Sequence, residues 1–160
     1  MSTPTHEGLI GLTIRLSKAI HRNSSEEVLG TTLRGFVVLS YLHDRDGVPQ
    51  QELGDAMCLD ANSIVLLLHE LEDEEYITRR RDPSDRRRHI IELTDAGRAA
   101  YTRGQQGRES VEDTVLVGLS ADERAQLGQL ISKALDGLAR SQAPAAAGES
   151  APVAAGVTSA

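Results

Sequence analysis

The spacing of apolar residues changes once along this chain and then changes back. From Leu9, Leu12, Leu16 and Ile20 through Ile64, Leu67, Leu68 and Leu71, aliphatic residues recur at intervals of three and four, the repeat of a helix with one buried face. Beyond Tyr76 this repeat gives way to Ile77–Arg81, a polar stretch Asp82-Pro83-Ser84-Asp85, and Arg86–Leu93, which predicts two strands around a turn. Helical spacing resumes at Leu127, Leu130, Ile131, Leu135 and Leu138. One hairpin set between helices makes the chain mostly α with a small β element. Composition agrees: with one Phe, three Tyr and no Trp, the core must be built from Leu, Ile, Val and Ala, which suits packed helices better than a β-sandwich. A length of 160 residues suits one domain.

Local signals predict the element ends. A first helix is expected from about Thr5 to His21, and a second after Gly30, capped by Thr31 or Thr32, with Leu33, Phe36, Val37 and Ser40 inward and a stop near Asp46-Gly47. Gln50–Met57 reads as a short helix broken at Cys58, with Leu53 and Met57 inward and small Gly54 and Ala56 allowing another helix close. Asp60 then caps the next helix. Two short helices joined by a tight turn form a helix-turn-helix. Thr94 is placed to cap a long helix from Asp95 towards Val117, in which Gly104 and Gly107 are expected to loosen the middle. Ser120-Ala121-Asp122-Glu123 is a capping box for the last helix. Residues 141–160, nearly all Ser, Ala, Pro and Gly, predict a disordered tail.

The net charge of −7 is unevenly spread. Six arginines face two aspartates between Arg79 and Arg88, whereas Glu70 to Glu75 holds five carboxylates and no base. A basic hairpin beside a helix-turn-helix suits phosphate, although an arginine run also serves as an ordinary solvated surface. No apolar run reaches the roughly 20 residues of a membrane span, and no signal-peptide pattern opens the chain, so the expected compartment is the cytoplasm. The single cysteine, Cys58, has no disulfide partner in the chain and reads as structural rather than redox-active. The histidines at 6, 21, 43, 69 and 89 lack metal-ligand spacing, and neither a phosphate-binding glycine loop nor a nucleophile motif is present. No enzyme, metal or cofactor is expected.

The stretch DPSDRRRHIIELTDAGRAA at residues 82–100, with the helix-turn-helix before it, resembles the MarR family of bacterial transcriptional regulators. Asp85, Arg87, Leu93 and Thr94 match the wing signature in register, and the resemblance extends over about residues 8–140. It implies a winged helix-turn-helix with N- and C-terminal dimerisation helices: residues 1–30 for the first, 31–93 for the DNA-binding region, 94–140 for the connector and last helix. The implied protein is a homodimeric repressor that binds double-stranded DNA at a pseudopalindromic operator and is released by a small aromatic or phenolic effector. Pairing also follows from the leucine stripes of the first and last helices, which a thin monomer has too little core to cover.

In that family the second helix of the pair enters the major groove, which makes Asn62, Ser63, Leu66 and His69 candidate DNA contacts. Capping is the competing role for Asn62 and Ser63. The resemblance puts Arg87 in the minor groove, with Asp85 holding it and Arg86 and Arg88 on phosphates. Ala61, Val65, Leu66 and Glu70 depart from the family, whose members usually carry Arg or Thr there. An Ala, Val and Leu surface touches thymine methyls but offers guanine no paired donors, so binding is expected to be weak or salt-sensitive and to depend on the wing. Arg15, His21, Tyr41 and His43 are the polar candidates for an effector site, each with an ordinary surface or helix-end role as its alternative. A winged-helix module that binds another protein is the other functional reading.

Overall fold

A computed structural model describes residues 8–142. The expected start of the first helix at Thr5 and most of the expected tail lie outside those residues. In chain order the described elements are α1 (Gly8–Asn23), α2 (Glu26–Leu29), α3 (Leu33–His43), β1 (Val48–Pro49), α4 (Gln50–Ala56), α5 (Ala61–Asp73), β2 (Ile77–Arg81), β3 (His89–Leu93), α6 (Asp95–Val115) and α7 (Ala121–Gln142). The mostly helical fold with a small hairpin is the architecture expected from the apolar spacing.

The helix caps form as the sequence dictates. Gly35 N–H donates to Thr32 Oγ1 at 3.1 Å, and Gly97 N–H donates to Thr94 Oγ1 at 2.9 Å. The capping box at α7 closes in both directions: Ser120 N–H donates to Glu123 Oε2 at 2.8 Å and Glu123 N–H to Ser120 Oγ at 3.3 Å. Thr94 also donates through its hydroxyl to the Glu75 carbonyl at 2.6 Å, tying the start of α6 to the start of the hairpin.

Two elements are additional to those read from the sequence. The four-residue α2 is too short to carry a periodic signal, and it ends at Gly30 in the left-handed region (φ 73°). Strand β1 has two residues and adds to β3, giving a three-stranded antiparallel sheet in the order β1-β3-β2. Val48 pairs with Ile91 and Pro49 with Ile90, while Ile77 pairs with Leu93 and Arg81 with His89. Pro49 fits because it stands on an edge strand, where a missing donor costs nothing.

Three expectations are corrected. The second hairpin strand begins at His89, not Arg86: the Asp82 N–H donates to the Arg88 carbonyl at 3.0 Å and the Arg88 N–H to the Asp85 carbonyl at 2.8 Å, so Arg86, Arg87 and Arg88 belong to the turn. On α3 the deeply buried side chains are Phe36, Val38, Leu39 and Leu42, whereas Val37 is 42% exposed. Leu33, Val37 and Ser40 point elsewhere, into a cavity described below. Finally, α6 runs unbroken through Gly104 and Gly107. A β-carbon at Gly107 would lie 1.9 Å from the Val28 carbonyl oxygen, and one at Gly104 would lie 2.6 Å from the Phe36 ring. These glycines let α2 and α3 approach α6; they do not loosen it.

The core joins both halves of the helix-turn-helix to the sheet. Leu39, Leu53, Leu68, Leu71, Ile77 and Ile91 are essentially inaccessible and form one cluster. Burying a leucine of this kind contributes about 1.5–3 kcal/mol. By contrast, α1 has no buried residue, and Leu9, Ile10, Leu12, Leu130, Leu135 and Leu138 are all exposed. Among the described residues, no helix is long and apolar enough to cross a membrane.

Candidate nucleic-acid interface

The turn between α4 and α5 positions the second helix. Cys58 adopts φ 52°, a left-handed conformation that is unusual for a residue with a β-carbon, and it is exposed. The Leu59 N–H donates to the Gly54 carbonyl at 3.0 Å, which closes the turn. Asp60 then caps α5: its Oδ1 accepts from Asn62 N–H at 3.0 Å and Ser63 N–H at 2.9 Å, and its Oδ2 accepts from the Ser63 hydroxyl at 2.6 Å. These bonds favour the carboxylate, so they hold Asp60 below its usual range, the Ser63 hydroxyl contributing most.

Ile64, Leu67, Leu68 and Leu71 bury the inner face of α5. Asn62, Leu66, His69 and Asp73, at spacings of four, three and four, form the stripe opposite and are all exposed. Three of the four predicted helix contacts therefore share one outward stripe. Ser63 lies to its side, with its hydroxyl engaged by Asp60. His69 Nδ1 is 3.9 Å from Glu72 Oε2, beyond hydrogen-bond distance.

At the hairpin tip Arg87 is 94% exposed, with its Nε 3.5 Å from Asp85 Oδ1. The same oxygen accepts from the Arg87 N–H at 3.0 Å, and Arg88 Nε is 3.7 Å from the other Asp85 oxygen. Asp85 thus orients both the backbone and the guanidinium of the tip. Arg86 is exposed beside them. A cleft of about 720 Å³ has Ala61 and Ile64 of α5 on one side and Arg87, Arg88 and His89 on the other. The start of α5 and the arginine tip therefore border one groove.

Sequence reasoning missed a strut beneath this surface. Arg79 of β2 is 13% exposed, and its Nε lies 3.2 Å from Glu72 Oε2 near the end of α5. The ion pair lacks hydrogen-bond geometry, and Nε and Nη2 have no hydrogen-bond partner. Only strand alternation, which puts Arg79 on the same face as buried Ile77, could have signalled it.

A second cavity of about 430 Å³ lies between α3 and the long helices α1, α6 and α7. Leu16, Ile20, Phe36, Val111 and Leu127 line it, with Arg108, Glu112 and Arg124 as its charged members. The sequence-predicted effector residues are elsewhere. Arg15 and His21 border a groove along α1 together with Lys18 and Arg22. Tyr41 carries the Arg45 guanidinium 3.8 Å above its ring, and His43 packs on Tyr101 at 4.1 Å between ring centres.

The MarR family model matches residues 31–89. The PcaV transcriptional regulator of Streptomyces coelicolor is 30% identical over 84% of this chain and 98% of its own, with a TM-score of 0.62. This chain belongs to the MarR family. Members of the MarR family are transcriptional regulators and not enzymes. The structure of PcaV with its natural ligand is 27% identical, with a TM-score of 0.70 over 86% of this chain and 99% of that one. MepR of S. aureus, solved in complex with DNA, is 25% identical, with a TM-score of 0.66 over 81% and 97%. The repressor NicR of Pseudomonas putida is 31% identical over 101 residues, 63% of this chain and 64% of NicR. The chain spans less than two thirds of the length of the curated relatives it matches.

Proposed function

We propose that this MarR protein is a cytoplasmic DNA-binding repressor that grips a pseudopalindromic operator as a homodimer and is released by a small aromatic or phenolic effector. The observation that carries the reading is the groove shared by the start of α5 and the Arg87 tip. An α5 stripe suits the major groove, and a planar guanidinium held by Asp85 suits the narrow, negative minor groove of A·T-rich sequence. Arg86 and Arg88 would then take phosphates, and the few basic groups beyond the wing keep the overall affinity low.

Pairing is supported by the exposed leucines of α1 and α7, which need a second copy to leave water. Two lobes in a symmetric dimer would meet half-sites about 34 Å apart, one helical turn. The apolar cavity touches both the dimerisation helices and α3, so a ligand that fits it better at one lobe spacing than at another would shift the dimer to that spacing, which is the requirement for release. That MepR was solved with DNA and PcaV with its ligand supports both halves of this reading.

A gel shift on the protein's own upstream region is the test. Wild type binds at low salt, and Arg87→Ala loses at least tenfold. Absence of any wild-type binding overturns the reading and favours the protein-interaction module, for which exposed Leu66 and the acidic end of α5 would form the surface.

A further inference from the structure

Resting on the DNA-binding reading, we propose that Leu66 determines operator specificity by reading the 5-methyl group of thymine. The outward stripe of α5 has Leu66 at its middle, 65% exposed, between Asn62 and His69. From Ala61 to Asp73 the helix carries no Arg, Lys or Gln, so it cannot offer guanine the paired donors that guanine recognition commonly uses. The Ser63 hydroxyl is turned to Asp60, which leaves Asn62, Leu66 and His69 as the forward contacts.

Among the four base edges in the major groove, only thymine presents a methyl group to an approaching side chain. Against guanine, adenine or cytosine, a leucine strips water from donors and acceptors without replacing the lost bonds. Leu66 therefore selects thymine twice, by gaining a methyl contact and by penalising the other edges. Asn62, one turn nearer the helix start, matches the adenine N6/N7 edge, so the pair together favours A·T-rich half-sites.

Charge sets how far the helix enters. Arg87 and Arg88 flank its first turn across the shared cleft, whereas Glu70, Asp73, Glu74 and Glu75 crowd its last turns. Phosphates attract the first end and repel the other, so the first two turns lie deepest, and Leu66 stands in the second. The groove of duplex DNA is thus a better occupant for this apolar patch than a protein helix, which would leave the wing arginines unmatched.

The test uses the full chain and a site selected from random duplexes, made with thymidine or with deoxyuridine, which deletes the methyl and preserves pairing and charge. Burying one methyl is worth roughly fourfold in affinity, so two half-sites give about fifteenfold. Wild type is expected to bind the deoxyuridine duplex about fifteenfold more weakly, and Leu66→Ala, an exposed change that leaves the fold intact by circular dichroism, less than about twofold. Equal wild-type affinity for both duplexes overturns the proposal while DNA binding stands. So does an equal loss in Leu66→Ala, or a selected site with no fixed thymine. Failure to bind any duplex overturns the DNA-binding reading with it.

Discussion

Arg79 Nε lies 3.2 Å from Glu72 Oε2, joining the first hairpin strand to the last turn of the helix that faces outward beside it. Removing Glu72 strands a largely buried cation. Glu72→Ala is expected to destabilise by about 1–3 kcal/mol. Adding Arg79→Met, which keeps the packing and removes the charge, should restore most of that loss. Urea unfolding of the two singles and the double measures the coupling, and additive losses would mean the pair does not interact.

Gly107→Ala puts a β-carbon 1.9 Å from the Val28 carbonyl oxygen, where backbone must move. Helix propensity alone favours alanine by about 1 kcal/mol. Overpacking against backbone costs more, and a net destabilisation of about 1–3 kcal/mol is expected. A rise in the urea midpoint would contradict the close approach of α2 to α6.

Leu130 and Leu138 of α7 are 58% and 43% exposed, and the proposed dimer buries them. Aspartate at both positions would have to bury charge at the interface. Sedimentation is expected to give a dimer for the wild type at micromolar concentration, and association about a hundredfold weaker or worse for the double variant. A monomeric wild type contradicts the two-half-site mechanism.

Asp60 supplies a pH dependence whose sign follows from its bonds. Because the Ser63 hydroxyl, then the Ser63 and Asn62 N–H groups, hold its carboxyl low, the ionised cap stabilises the fold. That contribution is complete above the ordinary value of about 3.9 and is lost as pH falls through the lower folded value. Asn is itself a good cap, so Asp60→Asn isolates the charge. The difference in urea midpoint between wild type and Asp60→Asn should hold steady from pH 7 to about 5, then shrink below about 4. A difference that grows in acid would reverse the assignment.

Much of this protein was legible because its signals are local. Thr32, Asp60, Thr94 and Ser120 each bond a backbone N–H two or three residues on, and the 3.6-residue spacing of α5 presents Asn62, Leu66 and His69 outward without help from the rest of the chain. The Asp85–Arg87 contact spans two residues and was legible for the same reason. What sequence reasoning missed or misread depends on partners far away in the chain. Gly107 reads as a weak point until Val28 lies beneath it, β1 is unrecognisable until Ile90 and Ile91 pair with it, and Val37 reads as a core residue until α1, α6 and α7 enclose the cavity it lines. The sequence by itself determined the wing, its arginines and the face of α5. Only the tertiary structure decided how closely α6 is approached, which strut holds the hairpin to α5, and where the cavity lies, because packing depends on surfaces brought together across the chain.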